Sequence, residues 1–257
     1  MLKAILIPVR SDSSRLPKKA LMKINGLATI EHLIQRVKKS KKADKIIICT
    51  TTLKSDDEIY ALAKKNGVNC FRGSAEDKLN RCLDAAMHYD IEYFVNVDGD
   101  DLFCEPELID LAFKQYELEN HDFVKSDEKK IVCGAFTFGM KTNKLKEICK
   151  NKNTNDTEII WLSFLEDETI KSSLLQDVPD IYYRPEIRAT LDYKEDLFFF
   201  EAVINHFWEQ GKQDYTLKDI ISFIDLRPEI ALINGHRNID WLNNQKKLNK
   251  TYRNKNV

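Results

Sequence analysis

Arg10, Arg15, Lys18 and Lys19 fall within ten residues of one another, interleaved with Ser11, Ser13 and Ser14, directly behind the apolar run Ala4 to Val9. Only Asp12 is acidic in that stretch. Converging cations of this density suit a polyphosphate better than a lone carboxylate. No glycine lies between Met1 and Asn25, so the stretch is neither a Walker loop nor a GxGxxG fingerprint, and side chains must do most of the holding. A concentration of opposite charge, Asp98-Gly99-Asp100-Asp101, follows the apolar run Tyr93 to Val97. Carboxylates crowded in this way repel one another unless a cation joins them. A third turn, Arg72-Gly73-Ser74, ends the short run Val68 to Phe71. A cationic loop facing a carboxylate cluster is the arrangement expected for a nucleoside triphosphate with magnesium, whose hard cation prefers carboxylate oxygens and bridges phosphates. Taken alone, the basic stretch reads equally as a solvated loop and the acidic one as a plain turn. Their common position behind apolar runs favours binding.

The elements that must position these groups follow from hydrophobic period and punctuation. Ala4 to Val9, Lys45 to Thr50, Val68 to Phe71 and Tyr93 to Val97 read as buried strands, with Thr50-Thr51-Thr52 marking one carboxyl end. Helices are expected over Thr29 to Ser40, from a Ser55/Glu58 capping box through Lys65, over Asp77 to His88, and from Pro106 through Tyr116. Strand alternating with helix predicts a Rossmann-like, mostly parallel sheet, whose ligand crevice lies at the carboxyl ends of the strands. The second half is less regular. Phe123 to Lys125 and Ile131 to Phe138 read as strands, Lys144 to Lys150 as a short helix, and 151–157 as a loop. Ile159 to Glu166 reads as helical and Tyr182 to Leu191 as extended. Asp192 to Asp196 caps a long helix reaching about Glu209, and a polar helix that frays begins near Trp241.

The 257 residues are expected to form one domain, with a nucleotide-binding half over 1–120, an acceptor-binding half over 121–240 and a polar tail over 241–257. A hydrophobic content of 43% supports a sizeable core, and a formal net charge of −1 excludes the global basic field of nonspecific nucleic-acid binders. Basic character is local instead. Lys38, Lys39, Lys41 and Lys42 sit at a helix C-terminus, where the dipole already accounts for them. No apolar run approaches the roughly 20 residues of a membrane span, and Met1-Leu2-Lys3 leads straight into a strand, so neither a membrane anchor nor a signal peptide is expected. Six cysteines without a CxxC pair read as reduced structural thiols of a cytoplasmic protein.

Several of these motifs carry a resemblance. Arg10-x-x-Ser13-x-Arg15-Leu16-Pro17-x-Lys19, with Ile24-Asn25-Gly26 and Ile30-x-His32-x-Ile34-x-Arg36-Val37, resembles the cytidylyltransferases that activate sugar acids. These are the 3-deoxy-manno-octulosonate and acylneuraminate cytidylyltransferases. Phe71-Arg72-Gly73-Ser74-x-x-Asp77-x-Leu79-x-Arg81 is similar to their spore-coat polysaccharide branch, as is Gly99-Asp100 followed by Glu105 to Asp110. Arg188-x-Thr190-Leu191-Asp192-x-x-Glu195-Asp196-Leu197 resembles the family's late metal-binding motif. The likeness covers about residues 3–110 and 185–200. It implies a nucleotide-diphospho-sugar transferase fold, α/β with a mixed, mostly parallel sheet and helices on both faces. It further implies attack of an acceptor oxygen on the α-phosphate of CTP, with pyrophosphate leaving. Arg10 and Lys19 would act catalytically on the triphosphate, while Ser13 and Arg15 shape their loop. Pro8, Val9, Thr51, Arg72, Gly73, Ser74 and Asp98 would complete the nucleotide pocket. Asp100 and Asp192 would hold Mg2+, and Arg188 would meet the substrate. A homodimer formed through the second half is implied as well.

Three departures stand out. Lys18 occupies a place that is often glycine, Asp98 one that tends to carry an amide, and Leu102 one that commonly carries proline. Other assignments stay open in the sequence. Asp192 reads equally as a helix N-cap, and Arg81, Arg184, His236 and Arg237 as anion contacts or as ordinary ion pairs. Two competing functions share the pattern: a glycosyltransferase using a ready-made nucleotide-sugar, and a nucleotide-binding protein without turnover. The segment between Lys125 and Arg184 carries no sugar-acid signature from which to name the acceptor.

Overall fold

A computed structural model describes residues 2–127, 130–157 and 171–244. The first strand, β1 (Leu2–Pro8), lies inside a seven-stranded sheet, third from one edge. Parallel partners flank it, β4 (Lys45–Thr51) on one side and β6 (Ile91–Asn96) on the other, with β5 (Asn69–Gly73) outside β4. Beyond β6 come β8 (Phe138–Lys141), antiparallel to it, then β7 (Phe123–Lys125) and β9 (Ser172–Leu174). The expected mixed, mostly parallel sheet is therefore present.

Burial explains why β1 reads as a continuous apolar run. Ile5 and Ile7 point into one core and Ala4 and Leu6 into the other, so both faces of the strand are covered. On the first face lie α1 (Thr29–Val37), α2 (Asp57–Lys65) and α4 (Pro106–Glu119). On the second lie α3 (Lys78–His88) and α5 (Thr142–Asn151). Helices α6 (Lys194–Glu209), α7 (Leu217–Leu226) and α8 (Glu229–Leu232) extend the first core through Phe199, Phe200, Ile220 and Ile230. All six cysteines are free.

Three expectations are revised. The strand over Ile131 to Phe138 contracts to β8, because residues 131–137 turn instead, Gly134 adopting φ +84°. Their backbone is satisfied from elsewhere: Val132 N donates to Tyr182 O, and Cys133 N to Ile187 O. The extended segment Tyr182 to Leu191 is irregular, with a 3-10 turn at Asp180–Tyr182 and one bridge, Cys133 to Arg188. The Ser55/Glu58 capping box does not form. A 3-10 turn (Lys54–Asp56) precedes α2, and the carboxylate of Asp56 is engaged elsewhere. The expected cap over Asp192 to Asp196 does form on α6: Asp196 accepts from the backbone N–H groups of Asp192 and Tyr193, leaving the carboxylate of Asp192 for other partners. The helix expected over Ile159 to Glu166 lies outside the described residues, as does the tail beyond residue 244.

One small element was not anticipated. β2 (Lys23–Ile24) and β3 (Leu27–Ala28) form a hairpin around Asn25-Gly26, with φ of 49° and 81°. Asn-Gly is the pair that such a two-residue turn favours. The hairpin returns the chain from the basic loop into α1, where Thr29 N donates to Met22 O at 2.8 Å.

Gly134 matters to the crevice because it sits between two segments that meet there. A Cβ at this position would lie 2.4 Å from Ala189 O and 3.0 Å from Asp101 Oδ1, on a left-handed backbone. Gly134→Ala should cost about 2–4 kcal/mol, combining left-handed strain with overpacking. Urea denaturation checks this, and a change below about 0.5 kcal/mol would show that residues 134 and 189 separate freely.

Candidate active site

The basic loop leaves β1 at Val9, whose N–H still donates to Cys49 O of β4. Its anchor is Ser11, buried at 4% exposure. Ser11 donates to Asp56 Oδ1 through both its N–H (2.8 Å) and its hydroxyl (2.6 Å). The other oxygen of Asp56 accepts from Thr51 N and Thr51 Oγ1. Burial alone would raise the pKa of Asp56, but these hydrogen bonds from Ser11 and Thr51 hold it below the ordinary carboxylate value. Asp56 thus ties the loop after β1 to the end of β4. Ser11 O in turn accepts from Lys18 N at 2.9 Å, closing the loop on itself. Lys18 adopts φ 58°, the left-handed region, at the place where glycine was the expected residue. Lys19 begins a 3-10 turn, and its carbonyl accepts from Thr29 Oγ1.

From this fixed backbone the Lys19 ammonium reaches Asp100 Oδ2 at 2.5 Å and Asp192 Oδ1 at 2.8 Å. Burial by itself would lower its pKa. The two carboxylates outweigh burial and push it above the ordinary lysine value. Asp192 is 2% exposed and also accepts from Arg15 (2.5 Å) and Arg188 (3.2 Å). Against burial, Lys19 and Arg15 hold its carboxyl well below the usual range. Asp100 goes the other way: burial raises it, and the opposing pull of Lys19 is offset by Asp192 and Asp98.

Asp100 and Asp192 meet although 92 positions separate them in sequence. The reason is backbone: Leu191 N donates to Asp100 O at 2.9 Å, and Ala189 N to Cys133 O at 2.9 Å. Asp98, Asp100 and Asp101 bring carboxylate oxygens within 4.8 Å of one another. This is the only such group of His, Cys, Asp or Glu among the described residues. Burial, Asp100 and Asp98 push Asp101 well above the ordinary carboxylate value. Gly99 allows this turn to press on the first loop, since a Cβ there would sit 2.6 Å from Val9 Cβ.

The remaining residues sort plainly. Arg10 donates to Ala75 O at 3.2 Å, joining the first loop to the turn after β5. Gly73 leaves no room for a side chain, a Cβ falling 3.0 Å from the Phe71 ring and 3.3 Å from Arg81 Cγ. Ser74 is exposed, and its hydroxyl accepts from Asp77 N. Ser13 and Arg15 line the outer part of the first loop, and Pro8 and Val9 its buried root. Arg72 turns toward β4, donating to Thr51 O and Leu53 O and pairing with Asp57. Thr51 has no exposed surface, so its hydroxyl serves Asp56 and not a ligand.

Arg188 is the clearest revision. It is wholly buried, with its guanidinium on Asp196 and Asp192, so it braces the crevice from behind and presents no face to an acceptor. Arg184 and Arg237 are in ion pairs with Glu186, Asp225, Glu195 and Asp240. Arg81 is buried and donates to Ser74 O. Sequence reasoning missed Asp56, Lys78 and Asn234. Lys78 pairs with Asp98 at 2.8 Å, which gives the unexpected acid a cation of its own. Asn234 donates to Arg188 O and Asp196 Oδ1. Asp98 in an amide's place was the one signal that a compensating cation was needed.

The cytidylyltransferase family model matches residues 4–230. The chain belongs to the cytidylyltransferase family. A protein of Methanocaldococcus jannaschii is 32% identical over 232 residues, covering 90% of this chain and 93% of its own. The spore coat polysaccharide biosynthesis protein SpsF of Bacillus subtilis is 25% identical over 88% of this chain and 95% of its own. A 3-deoxy-manno-octulosonate cytidylyltransferase of Pelodictyon phaeoclathratiforme is 36% identical, but over 45% of this chain and 46% of its own. Among solved structures, a cytidylyltransferase from Leptospira borgpetersenii superposes with a TM-score of 0.80 at 26% identity, over 90% of this chain and 97% of the other. The expected family and fold are thus established, and the chain is a nucleotidyltransferase by membership. No described helix is long and apolar enough to cross a membrane.

Three outcomes follow for this cytidylyltransferase. Asp56→Ala leaves the buried donors of Ser11 and Thr51 without an acceptor, which should cost about 2–4 kcal/mol. Because the folded carboxyl is depressed, its stabilisation is present at neutral pH and is lost as pH falls through the folded value, below the ordinary 3.8. Stability measured from pH 7 down to pH 2 should therefore fall less steeply in Asp56→Asn than in wild type. Equal slopes would show that Asp56 does not titrate with folding. Lys18→Gly removes left-handed strain and should raise stability by up to about 1 kcal/mol. If its melting temperature drops instead, the Lys18 side chain makes a stabilising contact that outweighs the strain.

Proposed function

We propose that this cytidylyltransferase transfers CMP from CTP to a sugar acid or a related phosphorylated acceptor, releasing pyrophosphate, with Mg2+ as the required metal. One observation carries the reading: a lysine from the cationic loop is held between two carboxylates at the carboxyl end of the sheet. Hard carboxylate oxygens already arranged around one cation are a donor set that fits Mg2+. Asp100 and Asp192 would hold it, with oxygens of Asp98 and Asp101 close to that of Asp100. When bound, Mg2+ supplies charge neutralisation and polarisation of phosphate oxygens.

The chain's own residues account for the rest. Arg10 and Lys19 bind the triphosphate and take up the negative charge that grows on the departing pyrophosphate. The acceptor oxygen forms its bond to the α-phosphorus as the bond to the β-phosphate oxygen breaks, so positioning matters more than covalent help. Ser13 and Arg15 keep the loop in shape, while Pro8, Val9, Gly73, Ser74 and Asp98 lie where the nucleoside would rest. Arg72 and Thr51 contribute indirectly, by fixing the end of β4. The name of the Bacillus subtilis relative supports a role in surface polysaccharide synthesis. A cytoplasmic homodimer completes the reading, and light scattering on the purified chain tests its mass.

Pyrophosphate release, screened with four nucleoside triphosphates against sugar acids, sugar phosphates and polyol phosphates, is the deciding experiment. CTP with one acceptor class should give Mg2+-dependent release. Preference for ATP or GTP would overturn the base assignment. Release of a nucleoside diphosphate from a nucleotide-sugar would instead identify a glycosyltransferase.

A further inference from the structure

We infer that Lys19 keeps the metal position closed until a nucleotide arrives, so that a divalent cation enters this crevice together with the triphosphate and not ahead of it. The inference rests on the Mg2+ and CTP reading above and concerns the order in which the two bind.

The geometry is direct. The Lys19 ammonium lies between carboxylates carried by two separate segments, 2.5 Å from Asp100 and 2.8 Å from Asp192, and its side chain is 13% exposed. It uses the oxygens that a metal would use. Arg15 shares Asp192 Oδ1 with it, and Arg188 takes Asp192 Oδ2, so no oxygen of Asp192 is without a cationic donor. An ammonium and a divalent cation cannot share one gap, since they compete for the same lone pairs and repel each other. A free, strongly hydrated Mg2+ would have to shed water and expel Lys19 into solvent at the same time. A triphosphate removes both difficulties, because it brings oxygen ligands for the metal and offers Lys19 an anion in exchange.

The loop is built for that exchange. The backbone of Lys19 is held, with its carbonyl on Thr29 Oγ1 and its neighbour Lys18 tied to Ser11 O. The side chain can therefore swing from carboxylate to phosphate without moving the loop. Arg188 differs: wholly buried between Asp192 and Asp196, it keeps Asp192 in place while Lys19 leaves.

The test reads metal binding without turnover. Mn2+ is titrated into the full chain and followed by electron paramagnetic resonance, first without nucleotide and then with CTP but no acceptor. Wild type and Lys19→Arg should bind free Mn2+ weakly, and Lys19→Met at least tenfold more tightly. Wild type should take up Mn2+ once CTP is present. Lys18→Met removes the same charge from the neighbouring position and should leave free Mn2+ binding near wild type. Lys19→Gln replaces Lys19→Met if that variant does not fold. Tight binding of free Mn2+ by wild type, or an equal gain in Lys18→Met, overturns the inference while leaving the CTP reading intact. Absence of Mn2+ binding in wild type and in Lys19→Met, with CTP present, overturns the metal reading and the inference with it.

Discussion

Carboxylates of like charge do not gather at a strand end without a cation, and in this chain that cation is Lys19. Asp98, Asp100 and Asp101 crowd one turn, and Asp192 arrives from a segment almost a hundred residues later. Unpaired, these groups would take up protons or push the segments apart. The Lys19 ammonium removes the conflict between Asp100 and Asp192, as Lys78 does for Asp98 and as Arg15 and Arg188 do for Asp192. Much of the surrounding architecture serves to keep these charges in register.

That service is visible in the buried polar groups. Asp56 fastens Ser11, and through it the basic loop, to the end of β4. Asp196 does three things at once: it caps α6, neutralises Arg188, and accepts from the N–H of Asp192 itself. Asn234 reaches back from beyond α8 to the same pair. Buried polar networks of this kind add little net stability, but removing one member exposes the others to an unsatisfied burial. They are a means of fixing position. Family membership and the fold account for the meeting of these segments, while these contacts account for how the charged groups are held there.

The first half of the fold and the family were legible because their signals are local. Ile5-Leu6-Ile7 reads as a doubly covered strand, and the cations behind one strand and the acids behind another stand out by residue type and short spacing. The motif around Asp192 was recognisable as well. The second half was harder, since residues 131–137 and 183–191 satisfy their backbones on each other and carry no period of their own. Their apolar character is strand-like in composition, yet Gly134 turns the chain where a strand was expected.

What the sequence determined by itself is the succession of strands and helices in the first half and the identity of the charged groups, because both depend on side-chain type and short spacing. Tertiary structure alone decided which of those groups face the crevice. Arg188 and Thr51 look available in the sequence and are buried in the structure, where they brace Asp192 and Asp56. Asp192 looks like a helix cap and instead shares Lys19 with Asp100, because Asp196 performs the capping. Asp56 looks like part of a helix start and holds the basic loop. The physical reason is common to all four: a polar side chain takes the partner that burial brings to it, and burial is a property of the packed chain.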